Sequence, residues 1–201
     1  MDYRFEGWIG GLGTAAGLRA VFGHWPRSPF GPFTDVMVEL PGGHRVLLAP
    51  AQPIADFVAQ TYRFDEVRIV PVTVSGTADE QSRWRVEAGP LALTADVGGR
   101  AALGRLLRAV PRSVATSPWW VAAIDAVARR VLPGVRTVGS AGRGRREFYA
   151  ALDLRRIARA TVTWEGADQG ALAPVDPPVR FGFGSTPRRP SLARIVTLVR
   201  E

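Results

Sequence analysis

The stretch HWPRSPFGPFTDVMVEL, residues 24–40, carries three prolines in a turn and then runs directly into an apolar segment. Proline fixes its own backbone and restricts the residue before it, so the first half predicts a stiff turn at the end of a strand. The second half, Thr34–Leu40, is rich in residues that favour strands and predicts the next strand. The aromatic residues beside the prolines leave two interpretations. The turn is either the rim of a binding site with a carboxylate, Asp35, or only a stiff connection.

About ten strand-like segments continue this pattern along the chain. They are predicted by alternating apolar residues between glycine and proline turns, such as Pro41-Gly42-Gly43 and Gly89-Pro90. Among them are Tyr3–Ile9, Leu18–Trp25, His44–Ala49, Glu66–Val74, Arg83–Glu87, Leu91–Val97, Val135–Val138, Glu147–Asp153, Ala160–Trp164 and Val179–Phe183. The last segment, Leu192–Val199, fits both a strand and a helical stripe.

Helical periodicity marks three other segments, Pro53–Tyr62, Arg100–Val110 and Pro118–Leu132. Strands interrupted by helices, without a regular βαβ alternation, predict an α+β fold with a mainly antiparallel sheet. About ten strands in one domain hide their edges best by closing on themselves. We therefore expect a single domain over residues 1–201, a closed or near-closed β-barrel with two or three inserted helices and a helical insertion around 99–132.

Composition excludes several classes of chemistry. The chain has no cysteine, which excludes disulfides, thiolate nucleophiles and cysteine-based metal sites. All 26 basic residues are arginine, so no side chain can form a Schiff base or act as a Walker lysine. The net charge of +8 favours anionic partners. The N-terminus does not read as a secretory signal and no apolar run is long enough for a membrane span, so we expect a cytoplasmic protein without membrane contact.

Three further motifs carry little functional signal. GGLGTAAG, residues 10–17, resembles a dinucleotide loop but lacks the strand and helix around it, so a strand bend is favoured. Six arginines lie within SAGRGRREF (140–148) and LRRIAR (154–159), yet no nucleic-acid-binding signature accompanies them, which makes nucleic acid a disfavoured partner. The two histidines, His24 and His44, are too few for a usual metal site. We predict no metal and no cofactor.

Asp35 and Glu39 are the candidate acids beside the turn. Four residues apart on one strand, they share a face, while Val36 and Val38 point to the other. Which of these faces is buried stays open at this stage. A buried Asp35 would have a raised pKa and could carry protons, and nearby His24 is the other candidate proton carrier.

Two segments resemble the acetoacetate decarboxylase family. SPFGPFTDV, residues 28–36, is similar to that family's turn with a reactive-centre acid, and Asp35 falls on the acidic position. TVTWEGADQGALAPVDPPVRFGFGST, residues 161–186, resembles its closing segment at Trp164, Gly166, Ala173, Pro174, Pro178 and Val179. The resemblance implies a closed antiparallel barrel around a small apolar pocket.

The departures from that family restrict what the resemblance implies. The family's reaction uses a Schiff-base lysine beside a second lysine, and this chain contains no lysine. A second family carboxylate would fall near Arg19–Val21, where no acid is present. Schiff-base decarboxylation is therefore excluded, and the pocket with Asp35 at its wall is what the resemblance leaves. Arg85 and Glu87, on the strand nearest the missing lysines, become further candidates.

Three functions follow from these observations. The first is a small-molecule-binding β-barrel whose ligand is a small carboxylate or keto compound, an anion being favoured by the arginines. Its predicted catalytic residues are Asp35 and His24, and its predicted ligand-binding residues are Trp25, Phe33, Glu39, Arg85 and Glu87. The second is a non-catalytic interaction module or dimer that uses an exposed tryptophan of the pair Trp119 and Trp120. The third is a basic nucleic-acid binder. Catalysis and homo-oligomerisation are left open.

Overall fold

A computed structural model describes residues 2–76, 82–117, 119–121, 124, 138–140, 146–182 and 186–200. Strands make up 53% of the structure. They are β1 Asp2–Thr14, β2 Arg19–Arg27, β3 Phe33–Glu39, β4 Arg45–Ala49, β5 Glu66–Ile69, β6 Val72–Ser75, β7 Arg83–Ala88, β8 Leu91–Arg100, β9 Val138–Ser140, β10 Arg146–Trp164, β11 Ala167–Asp168, β12 Leu172–Ala173 and β13 Ser191–Arg200. The helices are α1 Gln52–Thr61, α2 Ala102–Ala109 and α3 Arg112–Ala115.

One sheet contains all of these strands. Ten of them form its main path in the order β5-β4-β3-β2-β1-β13-β10-β8-β7-β6, and β9, β11 and β12 pair beside that path. Neighbours on the path are antiparallel, except that β4 and β5 are parallel and are connected through α1. The predicted α+β class with a mainly antiparallel sheet is confirmed.

The sheet curls strongly into a half-barrel. Its two arms meet inside the curl, where the ring of Trp84 on β7 lies 5.8 Å from Phe22 and 5.7 Å from His24 on β2. Val36 and Val38 belong to the same interior core. Side chains from distant strands therefore fill the concave face of the sheet.

The sequence predicts a closed or near-closed barrel, and the closed alternative is wrong because the sheet stays open. Glu66–Val74, predicted as one strand, is divided between β5 and β6, which lie at opposite ends of the main path. Val70 and Pro71 join them, and Pro71 has no N–H with which to continue a ladder. In the part of the chain that the structure describes, no ladder pairs β5 with β6, so the two edges approach at this joint without pairing.

Other strand predictions near the C-terminus also need correction. Glu147–Asp153 and Ala160–Trp164, predicted as two strands, belong to the single 19-residue strand β10. Residues 179–182 of the predicted strand Val179–Phe183 are not in a strand, and Phe183 lies outside the described residues. The last segment, Leu192–Val199, is a strand rather than a helix because it pairs with β1 on one side and β10 on the other.

A second core lies on the outer face of the sheet under α1. The helix follows the predicted Pro53–Tyr62 closely, with Pro53 in its first turn and Ile54, Ala55 and Val58 buried at helical spacing. These side chains pack against a set of outward-facing residues of β1–β4, namely Phe5, Ile9, Val21, Trp25, Phe33, Met37, Leu47 and Ala49. The first four strands are therefore covered on both faces.

The predicted helical insertion around 99–132 is described in part. Arg100–Val110 contains α2, and α3 follows it. Of the predicted helix Pro118–Leu132, residues 119–121 and 124 are helical and the others lie outside the described residues, as does most of the predicted strand Val135–Val138. Trp119 is 64% exposed.

Glu39 is fully buried at the end of β3 and is held by two arginines. Arg19 Nη2 lies 3.2 Å from Glu39 Oε1, and Arg180 donates its Nε–H to the same oxygen at 2.9 Å. The backbone N–H of Arg180 donates to Oε2 at 2.7 Å, and Arg19 Nη1 donates to the carbonyl of Pro177 at 2.9 Å. This cluster fixes the chain after β12 against β2 and β3.

Glu39→Gln should destabilise the protein by about 3–5 kcal/mol, because it leaves the buried Arg19 charge without its counter-ion. The midpoint of urea unfolding measures this loss. Glu87→Gln, which changes an exposed acid of β7, is the matched control and should change stability by less than about 0.5 kcal/mol. Equal effects of the two substitutions would contradict a structural role for the Glu39 cluster.

Candidate functional site

A small cavity of about 50 Å³ lies between the outer face of the sheet and α1. We call it the Asp35 cavity. Strand alternation brings residues 21, 23 and 25 of β2 and 33, 35 and 37 of β3 to this one face. The full lining is Phe5, Ile9, Val21, Gly23, Trp25, Phe33, Asp35, Met37, Phe57, Val58, Thr61, Tyr62, Tyr149 and Thr197. Most of these residues are aromatic or aliphatic, so a few polar atoms define what the cavity can recognise.

Asp35 is the acidic group of the cavity and is 4% exposed. Its Oδ1 accepts a hydrogen bond from Trp25 Nε1–H at 3.0 Å. Burial raises the pKa of Asp35 to about 7, against the smaller opposite effect of the hydrogen bond from Trp25. Among the residues that the structure describes, no arginine or histidine lines the cavity. The carboxyl group is therefore poised between its neutral and ionised forms near neutral pH.

Gly23 makes the contact between Trp25 and Asp35 possible. It pairs directly with Asp35 across β2 and β3. A Cβ atom at this position would lie 2.5 Å from Trp25 Nε1 and 2.9 Å from Asp35 Oδ1, which is closer than such atoms can approach. A glycine at this register position thus creates the space that the indole and the carboxyl group share.

Hydroxyl groups form the rest of the polar lining. Thr197 on β13 is 2% exposed, and its Oγ1 has no hydrogen-bond partner among the described residues. The hydroxyls of Tyr62 and Tyr149 are hydrogen-bonded to each other. A buried hydroxyl without a partner is unfavourable in an empty site and is available to a ligand.

The proline-rich turn lies beside the cavity. Phe30, at the tip of the turn, is 37% exposed, and its ring packs 5.2 Å from Phe57. It also lies 6.4 Å from the rings of Phe5 and Phe33, two other lining residues. The turn therefore places an aromatic ring beside residues that line the Asp35 cavity.

Of the predicted site residues, Asp35, Trp25 and Phe33 line the cavity together, whereas His24 does not. His24 points to the concave face of the sheet, where its Nδ1 lies 2.9 Å from Thr34 Oγ1. Its ring packs on Trp84, and burial lowers the pKa of His24. Because neighbouring residues of a strand face opposite sides, His24 and Asp35 are separated by the sheet.

The structure places the other three predicted ligand-binding residues outside the cavity. Glu39 shares the face of Asp35 but is engaged by Arg19 and Arg180. Arg85 and Glu87 lie on the exposed face of β7. The alternation along β7 predicts that Arg85 and Glu87 are exposed. Only the family resemblance suggests them as ligand-binding residues.

Sequence reasoning missed Gly23, Tyr62, Tyr149 and Thr197. Tyr149 and Thr197 come from β10 and β13, which are far from Asp35 in the chain but face each other across the same ladder. The pairing of β1 with β13 brings Thr197 opposite Phe5. The position of Tyr149 and Thr197 in the cavity follows only from the register of these strands. No local sequence motif predicts it.

The described residues contain no group of three or more His, Cys, Asp or Glu side chains that could hold a metal ion. Among them, no helix has the length and the apolar character needed to cross a lipid bilayer.

Comparison with protein-family models, with curated proteins and with solved structures finds no match to this chain. The relationship to acetoacetate decarboxylases therefore stays a hypothesis that rests on the short motifs alone.

Asp35→Asn should remove a pH-dependent loss of stability. The folded state keeps the Asp35 proton between pH 3.8 and about 7, where the unfolded state has released it, so its contribution falls as pH rises through this window. Relative to the native protein, the variant should gain stability by up to about 3 kcal/mol between about pH 5 and pH 8. Urea unfolding of both proteins across this range measures the difference, and a difference that does not change with pH would contradict the buried carboxyl.

Proposed function

We propose that this protein binds a small molecule in the Asp35 cavity. The observation that carries the proposal is a buried carboxyl group in an apolar cavity, with no counter-ion among the described lining residues. A carboxyl group in such surroundings loses hydration and gains no ion pair, which costs stability unless the position serves another purpose. Perturbed acids in apolar clefts are typical of binding and catalytic sites.

The size of the cavity limits the ligand. A volume of about 50 Å³ is about a third of the roughly 150 Å³ that holds one benzene molecule, so the cavity encloses on the order of two to three non-hydrogen atoms. The aromatic lining favours a ligand with an apolar body. Acetone and butanone are suitable probes because the cavity can enclose their carbonyl end, whereas a six-membered ring exceeds it.

The charge of the lining selects the chemical class. Because none of the described lining residues is an arginine, a bound carboxylate would face Asp35 without a cation from this part of the chain to neutralise it. The ligand is therefore a keto compound, or a small carboxylic acid bound in its protonated form. This narrows the broader class expected from the sequence, in which an anion was favoured.

Asp35 supplies the polar contact and a route to chemistry. In its neutral form it donates a hydrogen bond to a ligand carbonyl, and in its ionised form it accepts a proton. A pKa of about 7 allows both forms at neutral pH, which is the condition for general acid–base catalysis. Without a lysine in the sequence, any reaction proceeds without a Schiff base.

The Trp25 indole N–H provides a direct test because it touches Asp35. The six tryptophans give resolvable indole signals in a ¹⁵N-correlated NMR spectrum, and Trp25→Phe assigns the relevant one. Acetone or butanone should shift the Trp25 signal saturably in the millimolar range, while Trp119 stays unchanged. Affinity should fall as pH rises through about 7, because ionised Asp35 cannot donate to the carbonyl.

Thr197→Val separates binding from folding. The substitution removes an unpartnered buried hydroxyl, so stability should be unchanged or higher, while ketone affinity should fall about tenfold. Thr73→Val, at an exposed position of β6, is the control and should change neither property. If acetone and butanone leave the Trp25 signal unchanged, or bind Thr197→Val as tightly as the native protein, the proposed function is wrong.

The interaction module remains a second candidate because of Trp119. Its side chain is largely exposed and its ring lies 5.8 Å from Trp120. If this pair joins two copies of the chain, Trp119→Ala should lower the mass measured by light scattering to that of one chain. If the mass of Trp119→Ala equals that of the native protein, the hypothesis that Trp119 mediates a dimer is wrong.

A further inference from the structure

A second and larger cleft lies at the start of α2, away from the Asp35 cavity. We call it the arginine cleft. It has a volume of about 630 Å³, within the range of ordinary small-molecule sites, and shares no lining residue with the Asp35 cavity. Along β13, its residue Ser191 is six positions from Thr197, or about 20 Å. The lining is Ala101, Ala102, Leu103, Leu154, Arg155, Arg156, Pro174, Pro187, Arg188, Arg189, Pro190 and Ser191.

Arg155 is the buried cation of the cleft. It is only 4% exposed, and neither its Nε nor its Nη1 has a hydrogen-bond partner among the described residues. The nearest carboxylate is Asp153, whose Oδ2 lies 3.8 Å from Arg155 Nε. That carboxylate is already engaged by Arg100 Nε at 2.8 and 3.1 Å and by the backbone N–H of Leu154 at 2.8 Å.

This arrangement leaves Arg155 incompletely satisfied. A guanidinium group stays charged in proteins and offers five N–H donors, so burying it without full pairing is costly. Asp153 is shared between two arginines and neutralises only one charge. A positive charge therefore remains on a residue that lines the cleft, and two of its unpaired donors are buried beneath the surface.

The first turn of α2 adds backbone donors at the same place. Ala101 precedes the helix and provides no side-chain cap, and the first turn contains no acidic residue. The N–H groups of Ala102 and Leu103, both lining residues, have no acceptor within the helix. The positive end of the helix dipole thus faces the same cleft as Arg155.

Close packing holds this turn beside β10. Ala101 N–H donates to the carbonyl of Leu154 at 3.0 Å. A Cβ atom added at Gly104 would lie 2.2 Å from the same carbonyl oxygen, so only glycine permits this approach. The position of the helix start relative to Arg155 is consequently fixed by the fold.

The charged side chains at the open edge of the arginine cleft, which we call its mouth, are all positive. Every charged residue of the lining is an arginine, and Arg156, Arg188 and Arg189 are exposed. Arg188 pairs with Asp176 at 2.5 Å. Asp153 and Asp176 do not balance the arginines around the cleft, so an anion is attracted to it.

We propose that the arginine cleft binds the phosphate group of a small organic phosphate monoester. A phosphate offers three terminal oxygens and two negative charges, which match donors that come from α2, from Arg155 and from the mouth. A carboxylate has only two oxygens and one charge. Pro174, Pro187 and Pro190 also line the cleft, and their apolar rings suit an apolar ester group.

Phenyl phosphate is the probe. Inorganic phosphate tests whether the ester group contributes to binding, and benzoate tests whether a carboxylate can replace the phosphate. Isothermal titration calorimetry of the full chain in a phosphate-free buffer should give one site. Phenyl phosphate should bind most tightly, inorganic phosphate more weakly, and benzoate at least about tenfold more weakly than phenyl phosphate. Amide NMR signals of Ala102 and Leu103 should shift on binding.

Two variants locate the site. Arg155→Met should weaken phenyl phosphate binding by at least about tenfold, whereas Arg85→Met, which removes an exposed arginine on β7, should not. Ala102→Glu places a carboxylate in the first turn, where it competes for the same N–H groups, and should weaken binding by a similar factor. Ala102→Gln is its uncharged control, and because Ala102 is exposed both variants should fold.

Several results would overturn the proposal. They are the absence of saturable binding of phenyl phosphate, and affinities that are equal in Arg155→Met and Arg85→Met. Equal affinities for benzoate and phenyl phosphate would exclude a phosphate site, and equal affinities for inorganic and phenyl phosphate would exclude an ester site. If Arg155→Met does not fold, the comparison of Ala102→Glu with Ala102→Gln decides the question alone.

Discussion

Every residue of β3 is buried, and this constraint organises the structure around it. A strand covered on both faces needs a layer on each side. The curl of the sheet supplies the inner layer, where Trp84 of the opposite arm packs on β2. The helix α1 supplies the outer layer. The helix that covers β3 also connects β4 to β5. This crossover is why β4 and β5 pair in parallel at the edge of an otherwise antiparallel path.

Burial of β3 forces two acids into the interior, and the protein treats them differently. Glu39 is neutralised by Arg19 and Arg180, so its charge contributes to the architecture. Asp35 faces an apolar cavity with one indole donor, and its pKa rises instead. The two residues share a strand face and differ only in the cations within reach. The absence of a cation beside Asp35 therefore distinguishes a group that can exchange a proton from one that holds the fold together.

Local patterns predicted the elements well and the long-range arrangement poorly. The helix at Pro53–Tyr62 and the turns at Gly42-Gly43 and Gly89-Pro90 follow from periodicity and turn chemistry, which act over a few residues. The division of Glu66–Val74 into β5 and β6 could not be predicted from local patterns. Both halves favour a strand, and they differ in the strand with which each one pairs, β4 or β7. For the cavity, Trp25, Phe33 and Asp35 were within reach of the sequence, whereas Thr197 depends on the register of β13.

Because all basic residues of the chain are arginines, the buried cations of this protein stay charged. A buried lysine can release its proton and become neutral, but a guanidinium keeps its charge in any surroundings. Arg19 and Arg155 are both 4% exposed. Arg19 lies 3.2 Å from Glu39 and also donates to the carbonyl of Pro177, while Arg155 lies 3.8 Å from Asp153, which Arg100 engages more closely. A protein that cannot discharge a buried cation must supply an anion for it, and at the start of α2 the fold supplies backbone donors instead. The charge of Arg155 and the free N–H groups of α2 therefore both favour an anion at this position, which is the physical basis of the phosphate proposal.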